Sequence, residues 1–357
     1  MCGRRDPRGV MFETTPHGNR TTRPIRLLFV LLVGALVAGA LTVTPSPASP
    51  TGYNYPVKPF THEHPVRGNF GDPRTLFSVP PTTEGALFGG GEFQFHFGVD
   101  ISAPDGTQVY PVVSGTVVAV SAKQRRVNVS CNDGRGFEYW HISPTVSVGT
   151  HVTANETVLG RIVRGAKHVH LTELQGGTPV NPLQTGHLTP YTDRVAPLIR
   201  SISIRKSTAT LELPNFLRGS VEFVADVTDT PNRPVPGIWA DMPVAPARVV
   251  WRIEDLNGRA VVPDRVAVDF SRTIPSSSAF WSYYARGSYQ NMSVFGNHFS
   301  YGQPGRYLYR LAHTGFDTRT LKDGVYDLVV RASDIRGNAT CDSLRFTVHN
   351  RPGWIDG

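Results

Sequence analysis

Residues 96–120 read HFGVDISAPDGTQVYPVVSGTVVAV, and their pattern sets the fold class. Gln108–Val113 and Gly115–Ala119 are short runs rich in β-branched residues, broken by glycine and serine and lacking a helical period, so each is expected to be a strand. Downstream, Arg126–Ser130, Gly136–His141 and Val158–Val163 have the same character. Asn132-Asp133-Gly134 lies between two of them and predicts a hairpin, because glycine accepts the positive φ of a tight turn. Glycine (35) and proline (29) are abundant across the 357 residues, which excludes an all-helical bundle. With 39% hydrophobic and 18% charged residues, the chain is neither disordered nor a multi-span membrane protein.

The organisation follows on either side of this stretch. The expected fold class is all-β: a small, mostly antiparallel β-sheet domain over residues 93–186, then a β-sandwich of immunoglobulin-like type over 198–350. Residues 49–92 form an extended Pro/Gly/Thr-containing approach segment, 187–197 (HLTPYTDRVAP) a linker and 351–357 a tail. Six runs predict the sandwich strands: Ile199–Ile204, Ser220–Val227, Arg248–Ile253, Tyr307–Leu311, Val325–Ala332 and Leu344–Val348. Asp323–Thr340 resembles the last hairpin of bacterial immunoglobulin-like modules. No repeat of solenoid period is present.

Residues 1–48 read as a leader. Leu27–Val43 is uninterruptedly apolar and follows Arg20, Arg23 and Arg26, which is the order of an export signal. Ala38-Gly39-Ala40 and Ser46-Pro47-Ala48 offer small-residue cleavage sites; the alternative is a retained single-span anchor, the only membrane contact expected. The protein is therefore expected outside the cytoplasm: extracellular, wall-associated or periplasmic. The net charge is +8, and six basic and two acidic residues lie before Ser49, leaving +4 for the remainder. That surplus suits an anionic wall or membrane surface and calls for no nucleic-acid partner. Outside the leader stand Cys131 and Cys341; a bridge between them is permitted, and two free buried thiols are the expectation. No Cys-x-x-Cys spacing exists, so a metal would have to use histidine and carboxylate.

Three of the histidine-containing stretches have ligand-like surroundings. His96 and Asp100 would lie about 13 Å apart on a straight strand, too far to share a metal, so the chain must bend, with Gly98 supplying the freedom. His168 and His170 share a strand face at roughly 6.5 Å, so one can bind a metal while its neighbour reaches the metal's water. His141, in EYWHIS (138–143), closes a strand and aims at the same region if the sheet folds over itself.

Taken in order, HFGVDISAPDGTQVYPVVSGTVVAV, EYWHIS and HVHLTELQGGTPVNPL resemble the lysostaphin/LytM-type zinc metalloendopeptidases, which cut peptidoglycan cross-link peptides. The resemblance runs from about Gly68 to Pro182 and includes the Gly106, Pro111 and Gly115 turn framework and the closing Pro179–Pro182. It implies one zinc ion held by His96, Asp100 and His170, with His141 and His168 beside the metal's water as catalytic histidines, in a β-sheet domain with a groove for a peptidoglycan peptide. It leaves open which histidine is the general base.

Four positions depart from the family pattern. The loop before H-x-H is the short, basic Val163–Lys167. Thr172 stands where relatives often carry glutamate, with Glu173 one residue later on the opposite face. Cys131 replaces a non-catalytic histidine, and Phe93 and Phe95 offer no tyrosine hydroxyl. Of the remaining motifs, His62-Glu63-His64 reads as surface, with a self-inhibiting lid as the alternative, and Gly89-Gly90-Gly91 as a flexible rim. Ten aromatic residues between Phe280 and Tyr309 read as a buried mini-core or a recognition surface. Rival functions are a non-hydrolytic wall-binding or regulatory protein and a zinc peptidase acting on a secreted protein. Oligomeric state is not legible.

Overall fold

The computed structural model of the chain describes residues 52–77, 91–206, 216–289 and 305–350. The leader, the tail, Gly89 and Gly90, and Phe295, Phe299 and Tyr301 of the aromatic stretch lie outside the described residues. Among the described residues, no helix is long and apolar enough to cross a membrane.

The chain is all-β. Its first part comprises β1 (Val66–Gly68), β2 (Pro73–Phe77), β3 (Gly91–Phe95), β4 (Val99–Ser102), β5 (Gln108–Val109), β6 (Gly115–Ser121), β7 (Arg126–Cys131), β8 (Arg135–Trp140), β9 (Ile142–Pro144), β10 (His151–Val152), β11 (Gly160–Ile162), β12 (His168–Gln175) and β13 (Thr178–Val180). One antiparallel sheet runs β1-β4-β12-β8-β7-β6-β10, with β13 added to β12, and a small sheet runs β5-β11-β9. The β7–β8 hairpin forms where the Asn-Asp-Gly signal stands: Gly134 has φ +83° and donates its N–H to the Cys131 carbonyl at 3.2 Å. β5 ends at Val109, short of the expected Val113, and Pro111 follows without an N–H to extend a ladder.

Alternation along β12 divides its side chains between two environments. Val169 and Leu171 enter a core with Val99, Ile101, Val127, Val129, Phe137 and Tyr139. His168, His170 and Thr172 face the other side. The segment read as an approach laid over the domain is built into it: β1 pairs with β4, and Tyr53, Tyr55 and Val57 belong to the same core.

The second part comprises β14 (Leu198–Lys206), β15 (Phe216–Leu217), β16 (Ser220–Thr228), β17 (Arg248–Asp255), β18 (Ala260–Asp269), α1 (Phe280–Tyr283), β19 (Leu308–Arg310), β20 (Phe316–Asp317), β21 (Gly324–Ser333) and β22 (Ala339–Val348). Sheets β14-β16-β19, with β20 on β16, and β15-β22-β21-β17-β18 form a β-sandwich. Phe223, Trp251, Phe316 and Phe346 meet in its core. β18 was not among the expected strands: charges and Pro263 blur its alternation, and proline is tolerated there because the strand is at an edge. Phe280, Tyr284, Tyr307 and Tyr309 are fully buried in this core, so the described part of the aromatic stretch packs the interior.

The two parts share an interior. Phe70 and Phe95 enter the sandwich core, with Phe95 centred 5.6 Å from Phe270 and 5.4 Å from Phe280. Tyr284 donates its hydroxyl to the Gly71 carbonyl at 2.7 Å, and the Ala245 N–H donates to fully buried Asp72 at 2.7 Å. Cys131 is a free buried thiol and does not bridge to Cys341; the expectation of two free thiols holds for Cys131 only.

Candidate active site

Strand register assembles the histidine site. β12 lies between β4 and β8 and sets His170 directly opposite Asp100 on one side and Trp140 on the other, while His168 faces Ser102. Directly opposed residues have Cβ atoms about 5 Å apart, so Asp100 and His170 meet although they are 70 positions apart. His96 joins them from the bend between β3 and β4. The bend takes a different form from the one expected. Gly98 has no positive φ, and what it supplies is space: a Cβ there would lie 2.4 Å from the Leu171 carbonyl oxygen and 2.7 Å from His170 Nε2. Gly68 does the same opposite Asp100, where a Cβ would lie 2.8 Å from both Arg74 Nη2 and Asp100 Oδ2.

A carbonyl partner fixes which ring nitrogen of His96 carries the proton. His96 Nδ1 donates to the Asn69 carbonyl at 2.8 Å, leaving Nε2 as a lone pair. His170 Nε2 shares a hydrogen bond with the Thr172 hydroxyl at 2.9 Å, and the hydroxyl accepts from Nε2 in the tautomer whose Nδ1 is open to a cation. His96 Nε2 and His170 Nδ1 are 2.8 Å apart, and each lies 3.1 Å from Asp100 Oδ1. All three residues are at least nine-tenths buried. In the tautomer that leaves His170 Nδ1 unprotonated, three acceptors face one another, and a cation relieves their repulsion. Atoms at these separations can all lie about 2.1 Å from one point, the bond length of zinc to histidine or carboxylate. The donor set of two imidazoles and one carboxylate therefore fits a zinc ion.

Burial pushes the His96 ring down to about 3, with Arg74 adding to the shift, so the ring is neutral at physiological pH. Burial by itself would raise the Asp100 carboxyl, but the adjoining His96 and His168 rings and the Arg74 cation hold it well below the usual range. Arg74 makes the direct pair, Nη2 to Asp100 Oδ2 at 2.7 Å, so one carboxylate oxygen is bound by the guanidinium while the other faces the imidazoles.

The remaining two expected residues lie beside this trio. The His141 ring is centred 4.5 Å from that of His168 and 6.5 Å from that of His170. His141 follows β8 with φ +66°, a left-handed conformation that turns it off the strand and costs roughly 1 kcal/mol in a residue other than glycine. His168 donates Nδ1 to the Ala166 carbonyl at 2.6 Å, so its Nε2 is the acceptor, 3.5 Å from Asp100 Oδ1. Burial pulls His141 down to about 4 and His168 well below its usual value, leaving both rings neutral.

The site also contains residues that the sequence reading missed. Arg67 Nη2 lies 2.7 Å from His168 Nδ1 and 3.2 Å from Nε2, and its guanidinium stacks 3.8 Å over Trp239 from the second part of the chain. Burial lowers Arg67 only to about 10, so it remains a cation. Neither Arg67 nor Arg74 belongs to a motif. Thr172 was noticed only as a departure, yet its hydroxyl holds the His170 ring at 2.9 Å. Glu173, fully buried on the core face, accepts from the Tyr53 hydroxyl at 2.6 Å and pairs with His187 Nδ1 at 2.7 Å, so His187 is a satisfied core residue. His62-Glu63-His64 stays away from the trio: the His64 ring donates to the Pro59 carbonyl at 3.1 Å and Glu63 pairs with Arg233 at 2.8 Å.

Residues 94–182 match the model of peptidase family M23, a span that includes all five expected site residues. No curated protein matches the chain. Among solved structures, the chain is similar to one in the SpoIIQ–SpoIIIAH pore forming complex, with 23% identity, 38% of this chain and 90% of that chain covered, and a TM-score of 0.29. It is similar to the catalytic domain of the antimicrobial peptidase lysostaphin from Staphylococcus simulans, with 22% identity, coverage of 32% and 86%, and a TM-score of 0.23. It is also similar to the catalytic domain of the prophage-encoded M23 protein EnpA from Enterococcus faecalis, with 24% identity, coverage of 31% and 92%, and a TM-score of 0.23.

Proposed function

We propose that this chain, whose residues 94–182 are a zinc metallopeptidase domain of family M23, is an exported endopeptidase that hydrolyses peptide bonds in peptidoglycan cross-links. The observation that carries the reading is the mutual approach of His96 Nε2, His170 Nδ1 and Asp100 Oδ1, beside the neutral rings of His141 and His168. His96, Asp100 and His170 would hold the zinc ion. Zinc supplies Lewis acidity there, polarising a carbonyl and making water acidic enough to attack at neutral pH.

The chain's own groups provide the proton transfers. His141 is the most accessible of the five and its ring has no hydrogen-bond partner among the described residues, so it is free to take the proton of the attacking water and return it to the leaving amine. His168 is held by Ala166 and Arg67 with its Nε2 turned inward; it orients water, while Arg67, a buried donor, steadies negative charge on the carbonyl oxygen. Trp140, at the end of β8, and Phe97 wall the site with aromatic surface suited to a short, flexible peptide. The apolar Leu27–Val43 segment behind three arginines supports export.

Digestion of purified peptidoglycan with and without a chelator, with released fragments identified by mass spectrometry, tests the reading. His96→Ala, Asp100→Ala or His170→Ala should remove zinc and turnover together. His141→Ala should retain one zinc per chain and lose at least a hundredfold in rate. Wall digestion by His141→Ala at the original rate would show that this histidine carries no proton, and zinc-loaded protein that releases no peptide from any wall preparation would refute the substrate class.

A further inference from the structure

The second part of the chain reaches the histidine site through one loop. Residues 230–243 leave the sandwich after β16 and return to a bridge in which the N–H groups of Asp229 and Val244 each donate to the other's carbonyl, at 2.7 and 2.9 Å. Between those ends the stretch TPNRPVPGIW (230–239) carries three prolines, each with φ preset by its ring, so the excursion has few conformations to lose. Its 3-10 turn, Gly237–Trp239, sets the centre of the Trp239 ring 3.8 Å from the carbon of the Arg67 guanidinium.

The same loop grips the strand that carries Arg67. β1 is the edge of its sheet, and its Val66 N–H donates to Asn232 Oδ1 at 2.9 Å. Arg233 pairs with Glu63 at 2.8 Å, just before the strand begins. The β1–β4 ladder shifts register between Val66, opposite Ile101, and Gly68, opposite Asp100, which leaves Arg67 as the additional residue of a bulge. Bulges beside active sites re-aim a side chain, and here the guanidinium is directed at the histidines, with Nη2 2.7 Å from His168 Nδ1 and 3.2 Å from Nε2. Arg67 is buried and forms no ion pair among the described residues, and its Nε–H is buried without a hydrogen-bond partner. Apart from the His168 ring, nothing polar fixes the fork of this long side chain. Its orientation is therefore set by the aromatic face on which it stacks.

We propose that Trp239 is a positioning residue for peptide hydrolysis: by stacking on Arg67 it holds the guanidinium against His168, so that the second part of the chain completes the active site. The role rests on Arg67 steadying the carbonyl oxygen, as proposed above. Both residues lie outside 94–182, the span matched by the family, so that span does not contain the whole site. A donor already set in its working orientation needs no reorganisation when charge develops on the oxygen. Without the ring, the arginine side chain regains rotamer freedom and occupies that orientation only part of the time. The loss should appear in kcat rather than in KM, because the donor acts on charge that forms only in the transition state.

The test uses the full chain with zinc loaded. Trp239→Leu keeps apolar bulk and removes the ring face: kcat for peptide release should fall about tenfold or more, KM should change by less than about twofold, and zinc content and melting temperature should stay near those of the wild type. Trp239→Phe restores a ring face and should regain most of the rate. In an Arg67→Ala background, Trp239→Leu should cause no further loss, because the residue acts only through Arg67. A wild-type kcat in Trp239→Leu, a change in KM alone, or losses that multiply in the double variant would each overturn the proposal. A measurement that needs no turnover separates it from the peptidase reading. The Nε–H nuclear magnetic resonance of Arg67, identified by its absence in Arg67→Lys, should be displaced by the indole ring current in the wild type and return to the ordinary arginine range in Trp239→Leu. An undisplaced resonance in an active protein would refute the positioning. A displaced resonance in a protein that digests no wall would refute the peptidase reading, and the positioning role with it, while leaving the contact between Arg67 and Trp239 intact.

Discussion

Substituting Gly98→Ala tests whether the site is held by close packing. The added Cβ would lie 2.4 Å from the Leu171 carbonyl oxygen, 2.7 Å from His170 Nε2 and 2.9 Å from His170 Cε1. Ordinary contact begins near 3.4 Å, so the methyl intrudes by about 1 Å on the backbone of β12 and by about 0.7 Å on the imidazole. The backbone cannot yield without shifting the strand, and the ring cannot turn without breaking its bond to Thr172. Overpacking of this size costs about 1–3 kcal/mol, which lowers the melting temperature by several degrees. A metal ligand displaced by a good fraction of an ångström should weaken zinc roughly 10–100-fold and turnover by about 100-fold. Chelator competition measures the zinc affinity, calorimetry the stability and fragment release the rate. Gly106→Ala is the control: its φ is +81° with nothing within 4 Å, so it should cost about 1 kcal/mol of backbone strain and leave zinc affinity unchanged. If Gly98→Ala binds zinc like the wild type and melts at the same temperature, the packing argument is wrong.

Other consequences follow from the same contacts. Thr172→Val is nearly isosteric and removes the hydroxyl bonded to His170 Nε2, so zinc affinity should fall about 10–100-fold while the circular dichroism spectrum stays unchanged; an unaltered affinity would show that Thr172 does not orient the ligand. Arg74→Gln frees Asp100 Oδ2 from its buried cation and should weaken zinc binding to a similar degree, about tenfold or more, measured by the same competition. Burial raises the carboxyl of Asp72 to about 7 despite the opposing charge of Arg74. The folded protein therefore holds this proton more tightly than the unfolded chain, and the contribution of Asp72 to stability is complete below about pH 4 and declines as pH rises toward 7. Melting curves from pH 4.5 to 8 should show a steeper decline for the wild type than for Asp72→Asn, and the opposite order would contradict the assignment.

The sequence made the five histidine and aspartate positions legible because metal chemistry restricts residue type, and because H-x-H on a strand necessarily puts both rings on one face. It also made the β-sheet class legible, since short branched runs between glycine and asparagine turns have little alternative. The β18 edge strand was obscured by Pro263 and its charged neighbours. The approach segment looked like coil because its strands are short, β1 only three residues long, and are ordered by pairing with β4 and β3.

The supporting residues were set by tertiary structure. Arg74 meets Asp100 across 26 positions, Arg67 meets His168 across 101, and Trp239 reaches Arg67 from the second part of the chain. Such contacts leave no periodicity, because an arginine on a short edge strand reads the same whether it faces solvent or a buried carboxylate. Gly98 shows the division most clearly: the sequence indicated that the chain bends there, but only the neighbouring strand, placed by register, revealed that the requirement is for room beside His170 rather than for an unusual torsion. Local pattern fixes which face a side chain takes, whereas what lies opposite that face is decided by packing between segments distant in the chain.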